Sequence, residues 1–210
     1  KMVGIDGFRL SKVDIKMTKA PEEAFKFIVP AKSLQELERI TKDVATEKDD
    51  VEVYLLGEKN QIIFKVNDTE LSSRLIEGEF PNYNDIIPKE KTNSFISLKS
   101  DLEKSSKIIM IFAKNVIGNK TKFAINATEK KLKLSTSVID VGNNESSIDV
   151  SKVEGESIET AYNARFLLDM ISTIEGDEIV YETSGVTAPG LFRDKDNENY
   201  LHIIMPMRLD

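Results

Sequence analysis

Apolar positions along the chain follow two rhythms. In three stretches they recur every third or fourth residue, as one face of a helix does. Between those stretches they alternate or run in short blocks, as strands do. The first helical stretch is "VPAKSLQELERI" (29–40) and the last is "YNARFLLDMISTI" (162–174). Ala31, Leu34 and Leu37 of one match Ala164, Leu167 and Met170 of the other at a constant offset. Each runs into an acidic turn, "EKDD" or "EGDE", and then into strand text. That text is "VEVYLL" and "NQIIFKV" in the first copy, "EIVYET" and "NYLHIIMPM" in the second. Each copy ends on an apolar residue before proline, Phe80-Pro81 and Met205-Pro206.

A third helix is predicted over 97–116, where Leu98, Leu102, Ser105, Ile109, Phe112 and Val116 mark one face. Strand text follows it: "TKFAINAT", "KLKLSTS" and "SSIDVSKV" (146–153). The unit is thus a helix plus several antiparallel strands, present three times. The fold class is α+β. The Pro- and Asn-rich stretch "FPNYNDIIPKEKTN" (80–93) divides the chain, giving blocks 1–88 and 89–210. The opening "KMVGIDGFRL" enters an apolar pattern at once, as the interior of a longer protein does.

Composition narrows the class. Apolar residues make up 40% and charged residues 31% of 210, a globular balance. There is no cysteine, hence no disulfide and no thiolate metal site, which fits the cytoplasm. The net charge of −7 works against non-specific nucleic-acid binding over the whole surface, but its distribution is uneven. Residues 97–122 hold six lysines against Asp101 and Glu103. On the first helix Lys32, Arg39 and Lys42 lie opposite Leu34 and Leu37; on the second, Lys99, Lys107 and Lys114 gather opposite the apolar stripe. These are two solvated faces or a track for phosphates, which bind basic side chains without regard to sequence. No aromatic residues interleave them, so a single-strand stacking platform does not fit.

Catalytic signals are lacking. The single histidine, His202, lies within an apolar strand and reads as a strand residue rather than a base. "DKDNEN" (194–199) offers Asp194, Asp196 and Glu198 at calcium-loop spacing, but lacks the glycine and the distant glutamate; it reads as a polar hairpin turn. No metal, cofactor or enzymatic activity is expected.

The tail "IIMPMRL" (203–209) resembles the end of the bacterial sliding clamp, the beta subunit of DNA polymerase III. Three further stretches resemble that family in the same order: "VGIDGFRLS" (3–11), "FIVPAKSLQEL" (27–37) and "LIEGEFPNYNDIIP" (75–88). The resemblance covers the whole chain. It implies a DNA clamp fold, with 1–88 as the later part of a middle domain and 89–210 as a C-terminal domain, the first domain being absent. It implies a processivity factor that, as a homodimeric ring, encircles duplex DNA; the fragment alone is expected to be monomeric. The basic faces then line the hole, and Ile111, Phe112 and Ala113 fall at the subunit interface.

The family's peptide-binding pocket docks the polymerase III alpha subunit, the clamp loader and other proteins with a clamp-binding motif. Carried over by position, it comprises Gly7, Arg9, Leu10, Pro81, Ile86, Val186, Ile203, Ile204, Met205, Pro206, Met207, Arg208 and Leu209. In that reading Arg9 and Arg208 receive a carboxylate or carbonyls of the peptide. Ile5, Phe8 and Asp85 depart from the family pattern and make the pocket more apolar and less positive; Asp210 extends the usual ending. The competing reading is a stand-alone peptide-binding module with a clamp-like fold.

Overall fold

The computed structural model describes every residue except Ala20, Glu22, Glu47, Glu58, Lys59, 139–141 and Asp210. The chain opens with an antiparallel hairpin, β1 (Met2–Ile5) and β2 (Arg9–Val13), in register Ile5↔Leu10. Residues 18–82 form one compact unit. The hairpin, as residues 1–17, joins residues 83–210 in the other.

The smaller unit contains α1 (Ala31–Val44), β3 (Glu52–Leu56), β4 (Gln61–Val66) and β5 (Thr69–Arg74). Its three strands form an antiparallel sheet in chain order. β4 alternates strictly, with Ile62, Phe64 and Val66 buried and their neighbours half-buried. β4 and β5 are joined by a two-residue turn whose Asn67 sits at φ 54, a conformation asparagine tolerates. The Asn67 side-chain amide also donates to the Val44 carbonyl at 2.9 Å and closes the end of α1. Leu34, Leu37 and Ile40 form the apolar stripe of α1, each half-buried.

The larger unit continues with β6 (Asn93–Leu98), α2 (Lys99–Ala113), β7 (Lys120–Asn126), β8 (Lys131–Val138) and β9 (Gly142–Asp149). Then come β10 (Ser151–Glu154), β11 (Ile158–Asn163), α3 (Ala164–Thr173), β12 (Glu178–Thr183), β13 (Gly190–Asp194) and β14 (Tyr200–Ile204). Seven strands form one sheet in the order β1-β2-β14-β13-β12-β6-β10, and four form a second in the order β11-β7-β8-β9. α2 and α3 pack on each other; α2 covers β8 and β9, and α3 lies against β11 and β14.

Leu102, Ser105, Ser106, Ile109 and Ala113 form the buried face of α2, with Ser105 hydrogen-bonded to Ser146 at 2.8 Å. Asn163 caps α3, its side chain accepting from the Arg165 amide at 2.8 Å. Between helices and sheets lies an aromatic cluster of Phe95, Phe123, Tyr162, Tyr181 and Phe192, all essentially inaccessible. The Tyr162 and Tyr181 hydroxyls satisfy each other at 2.9 Å. Burial pushes Tyr162 well above its ordinary pKa and Tyr181 up to about 12, so both remain neutral.

The helix-plus-sheet units thus appear where the periodicity places them, with two differences. Predicted helix 97–116 is shorter: Leu98 is an exposed extended residue before α2, and Val116 lies beyond its end. The stretch 146–153 is not one strand. The chain passes from one sheet to the other at Val150, whose amide donates to the Lys130 carbonyl at 2.9 Å, and β10 pairs irregularly with β6. Ile148 and Val150 both turn inward, so the apolar text continues while the strand does not. Among the described residues no helix is long and apolar enough to cross a membrane.

A candidate peptide cleft and the basic helix faces

The tail strand β14 pairs with β2 in register Ile203↔Leu10 and His202↔Ser11, and with β13 in register Leu191↔Ile203. Side chains alternate across the sheet, so Leu10, Leu191 and Ile203 meet on one face in a small buried cluster of their own. Val3, Ile5, Tyr83, Ile86, Ile87 and Leu201 pack around it. Above this floor opens a small cleft of about 40 Å³ lined by Ile5, Gly7, Arg9, Leu10, Ile86, Ile203 and Met205.

The rim is fixed by backbone chemistry. The turn between β1 and β2 needs Gly7 at φ 88, which a side chain would strain. Asp6 closes that turn, its Oδ1 accepting from the amides of Phe8 at 3.1 Å and Arg9 at 3.0 Å. Burial raises the Asp6 pKa, but the hydrogen bonds from Arg9 and these amides outweigh it and hold the carboxyl below its ordinary value. The Phe8 carbonyl in turn accepts from the Met205 amide at 2.8 Å, fastening the tail to the turn. Met205 remains 39% exposed and flanks the opening as a flexible thioether.

Six of the thirteen residues carried over from the family therefore line the cleft: Gly7, Arg9, Leu10, Ile86, Ile203 and Met205. Ile204 does not. One step along β14 turns it to the opposite face, into the large core with Phe192 and Tyr181. Met207 leaves Met205 as well: its amide donates to the Ala161 carbonyl at 2.7 Å, and a β-carbon on Gly118 would lie 2.7 Å from its methyl. Pro206 is half-buried, while Arg208 and Leu209 are exposed. Val186 is exposed in the loop after β12, its carbonyl accepting from Thr160 at 2.9 Å. Pro81 is an exposed residue of the unit 18–82. Asp210 lies outside the described residues.

Position transfer leaves Leu191, Tyr83 and Ile87 out of the set. Nothing in the text around Leu191 marks it; only the pairing of β13 with β14 places it beside Ile203.

On the other face of the same strands lies a polar network. His202 Nδ1 is 2.7 Å from Ser11 Oγ and 3.2 Å from the Tyr200 hydroxyl, which meets Thr173 Oγ1 at 2.7 Å. His202 is buried and its Nε2 has no partner. Burial first, then the charge of Arg9, pushes its pKa down to about 4 against the opposing pull of Asp169 and Asp6. It is a neutral strand histidine. Arg9 is clasped beside it, Nε to Asp6 at 2.8 Å and Nη1 to Asp169 at 2.6 Å, with the guanidinium 4.4 Å from the Phe166 ring centroid. Two of its donors are thus used internally.

Asp194 also works structurally. Its Oδ2 accepts from the Gly176 amide at 2.8 Å and its Oδ1 from the Asp196 amide at 3.0 Å. "DKDNEN" is a turn fastened by its own carboxylate, and no group of three potential metal ligands occurs among the described residues. The open hollow of about 150 Å³ beside it, lined by Thr173, Glu175, Asp194 and Tyr200 among others, borders groups already bonded to one another.

Of the basic residues, Lys32 and Lys114 are exposed. Arg39 pairs with Glu36 and Asp43, Lys42 with Glu38, and Lys107 with Glu103, all one turn away. Such exposed pairs contribute little to stability. Lys99 differs, because its ammonium donates to the Ile174 carbonyl at the end of α3. Of the three interface residues, Ile111 is 60% exposed and Phe112 half-buried, whereas Ala113 is fully buried within the chain and offers no surface.

Two family models match in tandem: the central domain of the DNA polymerase III beta subunit over residues 1–82 and its C-terminal domain over 84–208. Among curated relatives, the beta sliding clamp of Staphylococcus aureus is 26% identical over 188 residues, 86% of this chain and 46% of that protein. The clamp of Bacillus subtilis is 25% identical over 204 residues, 97% and 52% respectively. The chain spans about half the length of these relatives. Among solved structures, the beta subunit of Thermotoga maritima superposes with TM-score 0.87 at 28% identity, over 99% of this chain and 54% of that one. A Bartonella birtlesii sliding clamp bound to griselimycin gives 0.86 at 28%, over 99% and 54%.

Proposed function

From the premise that this chain belongs to the DNA polymerase III beta subunit family, we propose that it is part of a sliding clamp. The whole protein is a non-catalytic processivity factor of the cytoplasm, a homodimeric ring around duplex DNA. Residues 1–88 are the later part of its middle domain and 89–210 its C-terminal domain. The cleft takes a linear motif of the polymerase alpha subunit, the clamp loader and other replication or repair proteins. The observation that carries the docking reading is a small apolar cleft walled by Ile5, Leu10, Ile86, Ile203 and the exposed Met205 beneath a backbone-fastened rim. Burial gains roughly 25 cal/mol per Å² of apolar surface covered, and the exposed Met205 together with peptide side chains of Leu and Phe size supplies that area.

The direct test is titration of a fluorescent Gln-x-x-Leu-Phe peptide. Micromolar binding is expected, weakened about five- to thirtyfold by Met205→Ala, as for a residue that covers the ligand at the centre of an interface. Failure of the folded native chain to bind removes the docking reading.

The DNA reading rests on charge alone. Lys32, Arg39, Lys42, Lys107 and Lys114 offer five exposed cations. Duplex binding by this chain is expected to be weak, with log K falling against log salt at a slope no steeper than about −4.5. Affinity independent of salt would rule out the phosphate track.

A further inference from the structure

The chain holds six methionines, in unlike surroundings. Met170 is fully buried, Met110 packs against the large core, and Met207 is half-buried with its methyl beside Gly118. Met2, Met17 and Met205 are exposed, and of these only Met205 borders the cleft. Strand register fixes its place. β14 and β2 pair Ile203 with Leu10 and Ile204 with Arg9, and the bond from the Met205 amide to the Phe8 carbonyl carries the pairing one step on. Met205 therefore lies on the Leu10 and Ile203 face, its thioether open to solvent at the mouth.

An exposed thioether reacts with hydrogen peroxide. A sulfur lone pair attacks one peroxide oxygen and the O–O bond breaks. The proton of the attached oxygen passes to the departing one, which leaves as water. The sulfur has lost two electrons and become a sulfoxide, whose oxygen accepts hydrogen bonds strongly. The mouth offers that oxygen little. Ile5, Leu10, Ile86 and Ile203 are apolar. The Phe8 and Arg9 amides already donate to Asp6, and the Met205 amide to Phe8. The Arg9 guanidinium lies on the opposite face, with Asp169 and Phe166. Water solvates the sulfoxide in the free cleft. An apolar peptide side chain seated there strips that water and brings no donor.

Building on the docking reading above, we propose that Met205 is a modification site, where oxidation by hydrogen peroxide switches docking off and reduction of the sulfoxide restores it. Methionine sulfoxide reductases carry out the return step: two thiols become a disulfide and the oxygen leaves as water.

The test uses a labelled Gln-Leu-Asn-Leu-Phe peptide, which has no methionine of its own. The native chain, Met205→Leu and a Met2→Leu, Met17→Leu, Met207→Leu triple variant are each titrated before and after exposure to hydrogen peroxide, which catalase then removes. Mass spectrometry gives the sulfoxide at each methionine, and each protein is compared with itself. The native chain and the triple variant are expected to lose affinity about five- to hundredfold as Met205 converts, the range of a buried polar group left without a partner. Treatment with both sulfoxide reductases, one for each epimer, is expected to restore it. Met205→Leu is expected to keep its own starting affinity, because leucine has no sulfur to oxidise. The proposal is overturned if Met205 stays a thioether while Met2 and Met17 convert. It is overturned equally if the native chain or the triple variant binds as before with Met205 fully converted, or if Met205→Leu loses affinity as the native chain does. An untreated native chain that does not bind the peptide removes the docking reading, and this inference goes with it.

Discussion

Acidification from pH 7 to pH 4 is expected to remove about 3 kcal/mol of stability from the larger unit, through His202 alone. The folded pKa is pushed down to about 4 from an ordinary 6.5, chiefly by burial and secondarily by Arg9. Between these values the unfolded chain carries the proton and the folded chain does not. Stability is therefore whole above pH 6.5, falls as pH drops through the window, and levels off below about 4. The lowered carboxyl of Asp6 acts in the same direction but only below its ordinary 3.8, beneath the histidine window. Urea unfolding followed by tyrosine fluorescence at pH 4, 5, 6 and 7 reads the slope. His202→Gln, which keeps a group for Ser11 and removes the titration, should flatten most of it; an unchanged slope would assign the acid sensitivity elsewhere.

The effect bears on the cleft because of where His202 sits. It precedes Ile203, the floor residue, on β14, and reaches Ser11 next to Leu10 on β2. A proton forced onto it acts on the pairing that brings the tail and the hairpin together. On the docking reading proposed above, peptide affinity is expected to fall with that same pairing.

The helices were legible because their apolar positions repeat at helical spacing over ten or more residues. Most strands were legible because theirs alternate. What period alone leaves open is which strands meet. β2 and β14 stand at opposite ends of the chain, and the Ser11–His202 contact spans a separation of 191 residues. The contact of Arg9 with Asp169 spans 160. Both determine the site, and neither leaves a local trace. Resemblance to a family supplied the neighbourhood, but position transfer treats a stretch such as Ile203-Ile204-Met205 as a block. A strand divides it: Ile203 and Met205 to the cleft, Ile204 to the core. Arg9 shows the same limit for charge, since a sequence lists a cation without saying what already holds it. The break at Val150 was hidden for another reason. The apolar text runs on through Ile148 and Val150 while the chain changes sheets, and the backbone departs from extended form at Lys152, whose φ is 47.

The largest single loss is expected from Phe123→Ala, about 4 kcal/mol. Phe123 on β7 is wholly buried, and four aromatic rings surround it. Tyr162 meets it edge-on at 5.2 Å between centroids and Phe192 edge-on at 6.4 Å; Tyr181 lies tilted at 5.2 Å and Phe95 stacked at 6.0 Å. Truncation removes the transfer energy of the ring and these edge and stacking contacts together. The hole cannot collapse easily. The Tyr162 and Tyr181 hydroxyls hold each other, and a β-carbon on Gly190 would already lie 2.4 Å from the Tyr162 oxygen, so that side of the cluster has no slack. Phe123→Leu keeps three of the six carbons beyond Cβ and should cost roughly half as much. Hydrogen exchange of the β7, β8 and β12 amides measures the loss within this unit, whatever residues 18–82 do. The outcome for binding separates core from cleft. Ile204 belongs to the same core as Phe123, while its neighbours Ile203 and Met205 line the cleft. Below the unfolding transition the variant should bind the Gln-x-x-Leu-Phe peptide within about threefold of the native chain, because β14 is held to β2 and β13 by backbone hydrogen bonds that the substitution leaves intact. A folded Phe123→Ala variant that has lost the peptide would mean that core packing, not strand pairing, shapes the cleft floor.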